Sequence, residues 1–208
     1  MTADAAFWDR IARKYAADPI KNQTAYEATL AAVRAHFKPS DRVLEIGCGT
    51  GSTALLLAGD VARYTGADIS GGMIEIAREK LAAEPIDGLD FVVAPVNETR
   101  FDAGAYDAVL GFNILHLVSD LPAALARAHA LLKPGGLYIT KTPCLGDMGF
   151  HIRLIVPLVK LFQRARFHVG YLTAPGLEAQ VADAGFDIVE SRVFDGAKHA
   201  RFLVARKR

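Results

Sequence analysis

The sequence predicts an α/β protein built on a Rossmann-like, doubly wound, mostly parallel sheet, and three observations predict it. Short β-rich runs alternate with helical stretches from residue 42 to residue 142. A glycine-rich turn, VLEIGCGTGST (43–53), lies between the first of these runs and the helix after it. The chain then ends in two β-rich runs, FDIVESRVF (186–194) and ARFLVARKR (200–208), with no helix between them. Alternating strand and helix call for parallel strands covered on both faces. Consecutive strands joined by a short loop pair antiparallel, so the sheet is expected to finish in a hairpin.

The elements follow in order. Residues 4–16 set Phe7, Trp8, Ile11 and Tyr15 at helical spacing. A second helix is expected over 22–37, ended by Lys38-Pro39-Ser40. Strands are expected at 42–46, 63–69, 90–94, 106–112 and 136–142, with helices from about 52, over 71–83 and over 120–132. Pro122 suits a first helical turn, and KPGG (133–136) supplies the proline and glycine that stop a helix. Residues 143–172 break the rhythm, and a helix over 174–184 follows with Thr173 as N-cap and Pro175 in its first turn. The whole reads as one domain, 1–208: a helical cap (1–38), a core (41–142), a lid insertion (143–172) and a C-terminal helix with hairpin (173–208).

Composition narrows the function. A chain that is 51% hydrophobic and 23% charged buries an ordinary core and is not a disordered polypeptide. A net charge of +1 argues against a nucleic-acid binder that relies on bulk charge. Two cysteines make no disulfide framework, and no Cys/His cluster has metal spacing, so no metal is expected. MTADAAFWDR lacks the basic-then-apolar pattern of a signal peptide, and no apolar run is long enough to span a bilayer. The expected compartment is the cytoplasm.

The glycines carry the chemistry. Gly47, Gly49 and Gly51 follow a strand and open a helix, where a doubly wound sheet binds its ligand. Glycine there permits unusual φ and close approach. The dinucleotide fingerprint is G-x-G-x-x-G, whereas here the spacing is G-x-G-x-G and position 52 is Ser52. A helix N-terminus favours an anion, but the Glu45 carboxylate would repel a pyrophosphate. It suits a ligand carrying a cation as well, such as an amino acid moiety. Asp68 ends the second strand 21 positions beyond Gly47, in line with the acid that grips ribose hydroxyls in such folds. Amino acid, ribose and a stacked base together describe S-adenosylmethionine (SAM).

VLEIGCGTGST, ADISGGMIEIARE, YDAVLGFNILHLV and LLKPGGLYITKTP resemble the successive motifs of the class I SAM-dependent methyltransferases. The subgroup that the chain resembles includes small bacterial ubiquinone/menaquinone-type C-methyltransferases and phospholipid N-methyltransferases. The resemblance implies a seven-stranded sheet with an antiparallel last strand, and SAM as cofactor with S-adenosylhomocysteine (SAH) as product. It implies that Gly47, Cys48 and Gly49 lie against the methionine part, Glu45 near its ammonium, and Asp68 on the ribose. Gly51 completes the turn. Ile69 and Met73 would sandwich the adenine, and Asn113 and Ile114 would flank the methionine end. Tyr15, matching a tyrosine in a helix that closes over SAM, and His116, close behind, are the candidate catalytic residues. After the third strand this chain has Ala94-Pro95-Val96-Asn97 where the family often has Gly-Asp, so the adenine contact falls to the Val96 backbone or to Asn97.

Cys144 reads as a small residue packed at the cleft edge rather than a nucleophile. Between Asp147 and Glu178 there is no acid, while Arg153, Lys160, Arg164 and Arg166 interleave with apolar residues. Such a segment suits a lipophilic acceptor or an anionic membrane surface. A solvated helix that packs one apolar side on the sheet is the alternative. The expected partner is a small or lipid-like acceptor, with peripheral membrane association through 147–172 on the inner face, and no nucleic acid. Two rivals stand beside the transferase reading. One is a SAM-binding protein without turnover. The other, a dinucleotide oxidoreductase, is disfavoured by the glycine spacing and by the lack of a Tyr-x-x-x-Lys pair.

Overall fold

The computed structural model describes residues 3–95, 100–162 and 168–208. In chain order the elements are α1 (Ala3–Ala17), α2 (Gln23–Arg34), β1 (Arg42–Ile46), α3 (Ser52–Leu57), β2 (Arg63–Asp68), α4 (Gly71–Ala83), β3 (Leu89–Val93), β4 (Tyr106–Phe112), α5 (Leu121–Leu131), β5 (Leu132–Pro143), α6 (Phe150–Phe162), α7 (Ala174–Asp183), β6 (Phe186–Arg192) and β7 (Ala200–Lys207). Short 3-10 turns stand at Ala58–Asp60, Leu115–Leu117 and Leu145–Asp147.

Side-chain caps start the helices where the sequence offers them. Asn22, Ser70, Asp120 and Thr173 accept from the backbone N–H of Ala25, Met73, Ala123 and Gly176, three residues on in each case. The second helix stops at Arg34, short of the proline. A turn then closes as Asp41 accepts from the Lys38 N–H at 2.9 Å.

The strands lie in the order β3-β2-β1-β4-β5-β7-β6. β1 to β5 run parallel, and β7 is antiparallel to both its neighbours. The expected hairpin is present, with the last strand inserted between β5 and β6. One expectation is corrected. KPGG does not precede β5 but lies inside it as an irregularity: Tyr106 pairs with Leu132, and the register resumes at Ala108 with Leu137. Gly135 takes φ +72° there, a conformation that glycine adopts without strain.

Period-two alternation divides the sheet between two cores. Val43, Tyr64, Phe91 and Ile139 pack under α2, α3 and α4, while Leu44, Ala67, Val109 and Leu203 pack under α5 and α7. A smaller cluster of Ala12, Met73 and Ile76, with Trp8 against it, joins α1 to α4. Strand order reverses between β1 and β4, and a crevice opens at the carboxyl ends of the strands at such a switch point.

Candidate active site at the carboxyl edge of the sheet

The glycine turn leaves β1 at this switch point. The N–H groups of Gly47 and Cys48 both donate to the Ala67 carbonyl, at 2.7 and 3.0 Å, so the turn is stitched to the end of β2. All three glycines have positive φ, but they exclude side chains for different reasons. A Cβ on Gly47 would come within 2.9 Å of Ile114, and one on Gly51 within 2.6 Å of the Phe91 ring. Those two positions are closed by the protein itself. A Cβ on Gly49 would meet nothing within 4 Å, so Gly49 is where the turn faces open space.

Asp68 holds that turn. Its carboxylate accepts from the Gly49 N–H and from the Ser70 N–H, each at 2.9 Å. Burial raises its pKa, and these backbone bonds counter the rise. A carboxylate has about four acceptor sites, so two bonds to the protein leave capacity for a diol. Ser70 extends the chain of contacts. Its hydroxyl donates to Asp9 of α1 at 2.6 Å, and the Gly72 N–H donates to the same Asp9 oxygen at 2.9 Å. One carboxylate from the first helix therefore caps α4 beside the ribose-type acid.

Glu45, two residues before the turn, is 2% exposed. Tyr64 on β2 donates to it at 2.8 Å. Desolvation pushes the Glu45 carboxyl up to about 7, against the Tyr64 bond that lowers it. The period-two faces make the meeting possible: Tyr64 lies opposite Val43, on the same face of the sheet as Glu45. Nearby, Lys80 of α4 donates to the Thr50 carbonyl at 3.0 Å and to the Ser52 hydroxyl at 3.0 Å, bracing the outer side of the turn.

From β4 come Asn113 and Ile114. Asn113 has φ +54°, the one positive φ outside glycine among the described residues, and asparagine is among the few side chains that tolerate it. Its N–H donates to the Lys141 carbonyl at 2.8 Å. Ile114 lies against Gly47, so the ends of β1 and β4 meet here. His116 is in the 3-10 turn behind them. Burial lowers its pKa to about 4, and among the described residues its Nδ1 has no hydrogen-bond partner.

Two expected cofactor contacts change character. The Cys48 side chain is buried in the core beside Gly66, so only its backbone faces the turn. Met73 is 2% exposed and packed with Ala12 and Ile76 in the α1–α4 contact, so it offers no free face to sandwich a base. Ile69, half-buried after Asp68, keeps that option. Val96 and Asn97 lie outside the described residues. Cys144 is 1% exposed, with its thiol pKa raised by burial, as a packed cysteine rather than a nucleophile.

Tyr15 stands on α1 with its ring edge-on to Trp8. Desolvation first, and the Asp68 charge second, raise its pKa, so the phenol stays protonated at neutral pH. It borders an open depression of about 370 Å³ along α1, lined also by Phe7, Arg10, Ile11, Lys14 and Asp18. Tyr26 of α2, whose hydroxyl is 3.2 Å from that of Thr53, lies in the field of Glu45. Sequence reading missed Tyr64, Asp9, Lys80 and Tyr26. Each acts across a long sequence separation, and only Ser70, a serine just before a helix, carried a local signal.

A parallel sheet with this strand order, a glycine turn on its first strand and an acid ending its second define a class I methyltransferase fold. Residues 43–136 match a family model described as a methyltransferase domain. That match takes in somewhat less than half of the chain, and the fold is the methyltransferase one. The chain is 35% identical over 108 residues to a demethylmenaquinone methyltransferase of Symbiobacterium thermophilum, covering 50% of this chain and 43% of that one. It is 40% identical over 119 residues to the polyketide synthase component of a lovastatin nonaketide synthase of Aspergillus terreus, covering 53% of this chain and 4% of that one. The chain thus spans less than half the length of either relative. Among solved structures, geranyl diphosphate C-methyltransferase of Streptomyces coelicolor A3(2) superposes with a TM-score of 0.74 at 15% identity, covering 97% of this chain and 98% of that one. At that identity the likeness is one of fold.

Proposed function

We propose that this protein transfers the methyl group of SAM to a small, apolar or lipid-like acceptor by in-line displacement. The observation that carries the reading is the Asp68 carboxylate bound to the Gly49 N–H at 2.9 Å, beside the open space over Gly49. In this reading Asp68 takes the ribose hydroxyls, Glu45 takes the ammonium, and the backbone of Gly47, Cys48 and Gly49 lies along the methionine part. Ile69 contacts the adenine, with Val96 and Asn97 as its further partners. Asn113 and Ile114 close the methionine end.

The sulfonium methyl is already electrophilic. A lone pair of the acceptor forms the new bond, the carbon–sulfur bond breaks, and sulfur keeps the electron pair as SAH leaves. The protein's work is alignment and exclusion of water. The two candidate catalytic side chains are neutral at physiological pH: the His116 imidazole is a weak base with a pKa of about 4, and the Tyr15 phenol holds its proton. Both can orient an acceptor; neither is matched to strip a proton at pH 7. An acceptor that ionises by itself, such as an acidic phenol or stabilised carbanion, fits this pair. A quinone precursor is of that kind, and the demethylmenaquinone methyltransferase relative points the same way. Aromatic metabolites with an acidic phenol fit as well, whereas a phospholipid amine head group, protonated at neutral pH, would need a base that neither side chain supplies. The open face of α1 that carries Phe7, Ile11 and Tyr15 beside Arg10, Lys14 and Asp18 is the proposed side of acceptor approach. Peripheral membrane association through residues 147–172 belongs to the same proposal.

The test incubates purified protein, methyl-labelled SAM and whole bacterial extract, then separates organic from aqueous phases. Label in the organic phase, above a Glu45→Gln, Asp68→Ala control, is the expected result. Label in the aqueous phase alone discards the lipid-like acceptor. No label above the control sinks the transferase reading.

A further inference from the structure

The segment between β5 and α7 is held firmly at its base. The Gly146 N–H donates to the Leu172 carbonyl at 2.8 Å, and the Ala174 N–H to the Asp147 carboxylate at 2.8 Å. Its far end is tied to the site, since the Gly170 N–H donates to the His116 carbonyl at 2.6 Å. What this frame presents is α6, which is apolar on two sides. Ile152 and Val156 are half-buried on its inner side. Outward it shows Phe150, Leu154, Leu158 and Leu161, which are 74, 59, 55 and 73% exposed. Their spacing of four, four and three residues makes one continuous stripe. Ile152 and Val156 face the protein, so the outer stripe is a second apolar surface left in water, and a contiguous exposed apolar patch marks an interaction site.

Charge selects what covers the stripe. Residues 148–177 contain no acid. Arg153, stacked on Tyr171 at 5.7 Å, and Lys160 stand on α6 itself, and His151 and His168 are exposed nearby. Two copies of such a face would repel each other, whereas a surface of anionic lipid attracts it. At about 1.5 Å per residue, thirteen residues make about 20 Å of helix. That is enough to lie on a bilayer, and no helix among the described residues is long and apolar enough to cross one.

We infer that α6 docks the protein on an anionic membrane surface, its Phe150–Leu154–Leu158–Leu161 stripe set into the boundary between head groups and acyl chains. The segment leaves β5 at the carboxyl edge of the sheet, the same edge that carries Gly49, Asp68 and Asn113. Docking therefore turns the mouth of the site toward the lipid. Its meaning for the acceptor, drawn from the bilayer rather than from solution, rests on the methyl-transfer reading.

The full chain is sedimented with phosphatidylcholine vesicles, with and without phosphatidylglycerol, and SAH binding is measured separately by calorimetry. The expected result is binding to the anionic vesicles that weakens with salt. Leu158→Glu combined with Leu161→Glu should lower the partition coefficient at least about tenfold and leave SAH affinity unchanged. Arg153→Glu should lower it less. Three results overturn the inference: no sedimentation with anionic vesicles, equal binding to neutral ones, or a dimer in solution that the Leu158→Glu, Leu161→Glu variant splits into monomers. Because SAH binding is read apart, loss of the cofactor reading and loss of the docking reading cannot be confused.

Discussion

Tyr64 donates its phenolic hydrogen to Glu45 across 2.8 Å, between two neighbouring strands, with both side chains out of water. Burial nevertheless leaves the carboxyl with a pKa of about 7, above its ordinary 4.5. Without ligand, Glu45 is therefore about half protonated at neutral pH. A cationic ammonium beside it would drive the proton off. SAH affinity is expected to rise as pH increases toward 7, by up to about tenfold per unit, and to level off above. Calorimetry in buffers of different ionisation enthalpy should show proton release near pH 7. Flat affinity from about pH 6 to about pH 8 would detach Glu45 from the ammonium.

The same shift sets a stability prediction of unusual sign for a carboxylate. The folded pKa lies above the unfolded one, so the folded state binds the extra proton between 4.5 and about 7. Stability falls as pH rises through that window, by an amount on the order of 3 kcal/mol, and stays reduced above it. Glu45→Gln removes the titration and is expected to melt higher than the parent at about pH 8 while binding SAH more weakly. A variant that melts lower, with the Tyr64 bond kept, would contradict the buried-carboxylate account.

Asp68→Ala is expected to weaken SAH binding by about 1.5–3 kcal/mol. The bonds to Gly49 and Ser70 add a second consequence, because the loss also frees the glycine turn. Amide exchange at Gly49 should accelerate in the variant without ligand. Asp68→Asn should lose nearly as much affinity, since its amide group cannot accept at both N–H donors. Unchanged affinity in either variant, measured by calorimetry, would remove Asp68 from the site.

The strand–helix alternation, the closing hairpin and the glycine turn are readable because their signals are local. A β-rich run, G-x-G-x-G and two runs without a helix between them each occupy a few adjacent residues. What could not be read depends on contacts between distant segments. Tyr64 looked like any strand tyrosine until β1 and β2 were set in register, and Asp9 is 61 residues from Ser70. Met73 shows the same limit: its position after Asp68 suggests a base contact, while in the structure α1 covers it. KPGG shows the limit of local rules as well. Its glycine and proline do interrupt regular structure, but as a bulge within β5.

Two glycines separate packing from binding. Gly51→Ala would drive a methyl to 2.6 Å from the Phe91 ring and 2.9 Å from Ala77, at φ +75°. Denaturant unfolding should show a loss of about 2–4 kcal/mol. Gly49→Ala meets nothing within 4 Å and carries only the cost of φ +54°, about 1–2 kcal/mol. Its Cβ would instead enter the proposed ligand space, so SAH affinity should fall by more than stability does. Equal effects on both quantities at position 49 would mean that the open space is not the cofactor's.

His116 is expected to stay neutral well below its ordinary 6.5, because burial without a partner for Nδ1 among the described residues opposes the charged form. Its ring resonances should not titrate until the pH approaches 4. The folded pKa is depressed here, so the unfolded chain takes up the proton first, and stability falls as pH drops from 6.5 toward 4. A midpoint near 6.5 in an NMR titration would restore His116 as a base and reopen acceptors that need one.

A carboxylate keeps α1 over the site. Asp9 accepts from both the Ser70 hydroxyl and the Gly72 N–H, and Ser70 in turn donates its N–H to Asp68. The first helix is thus joined to the ribose-type acid through one serine, while Trp8, Ala12 and Met73 supply the apolar part of the contact. Removing the carboxylate leaves two donors with one acceptor fewer, at about 1–2 kcal/mol. Because the apolar contact persists, the fold should remain and the loss should appear as local opening. Asp9→Ala is expected to speed amide exchange along α1, leave exchange in β1 and β4 unchanged, and weaken SAH binding about threefold to tenfold. Asp9→Asn keeps an acceptor oxygen and should recover most of the affinity. If Asp9→Ala binds SAH as tightly as the parent, α1 does not take part in holding the cofactor, and Tyr15 loses its proposed place in the site with it.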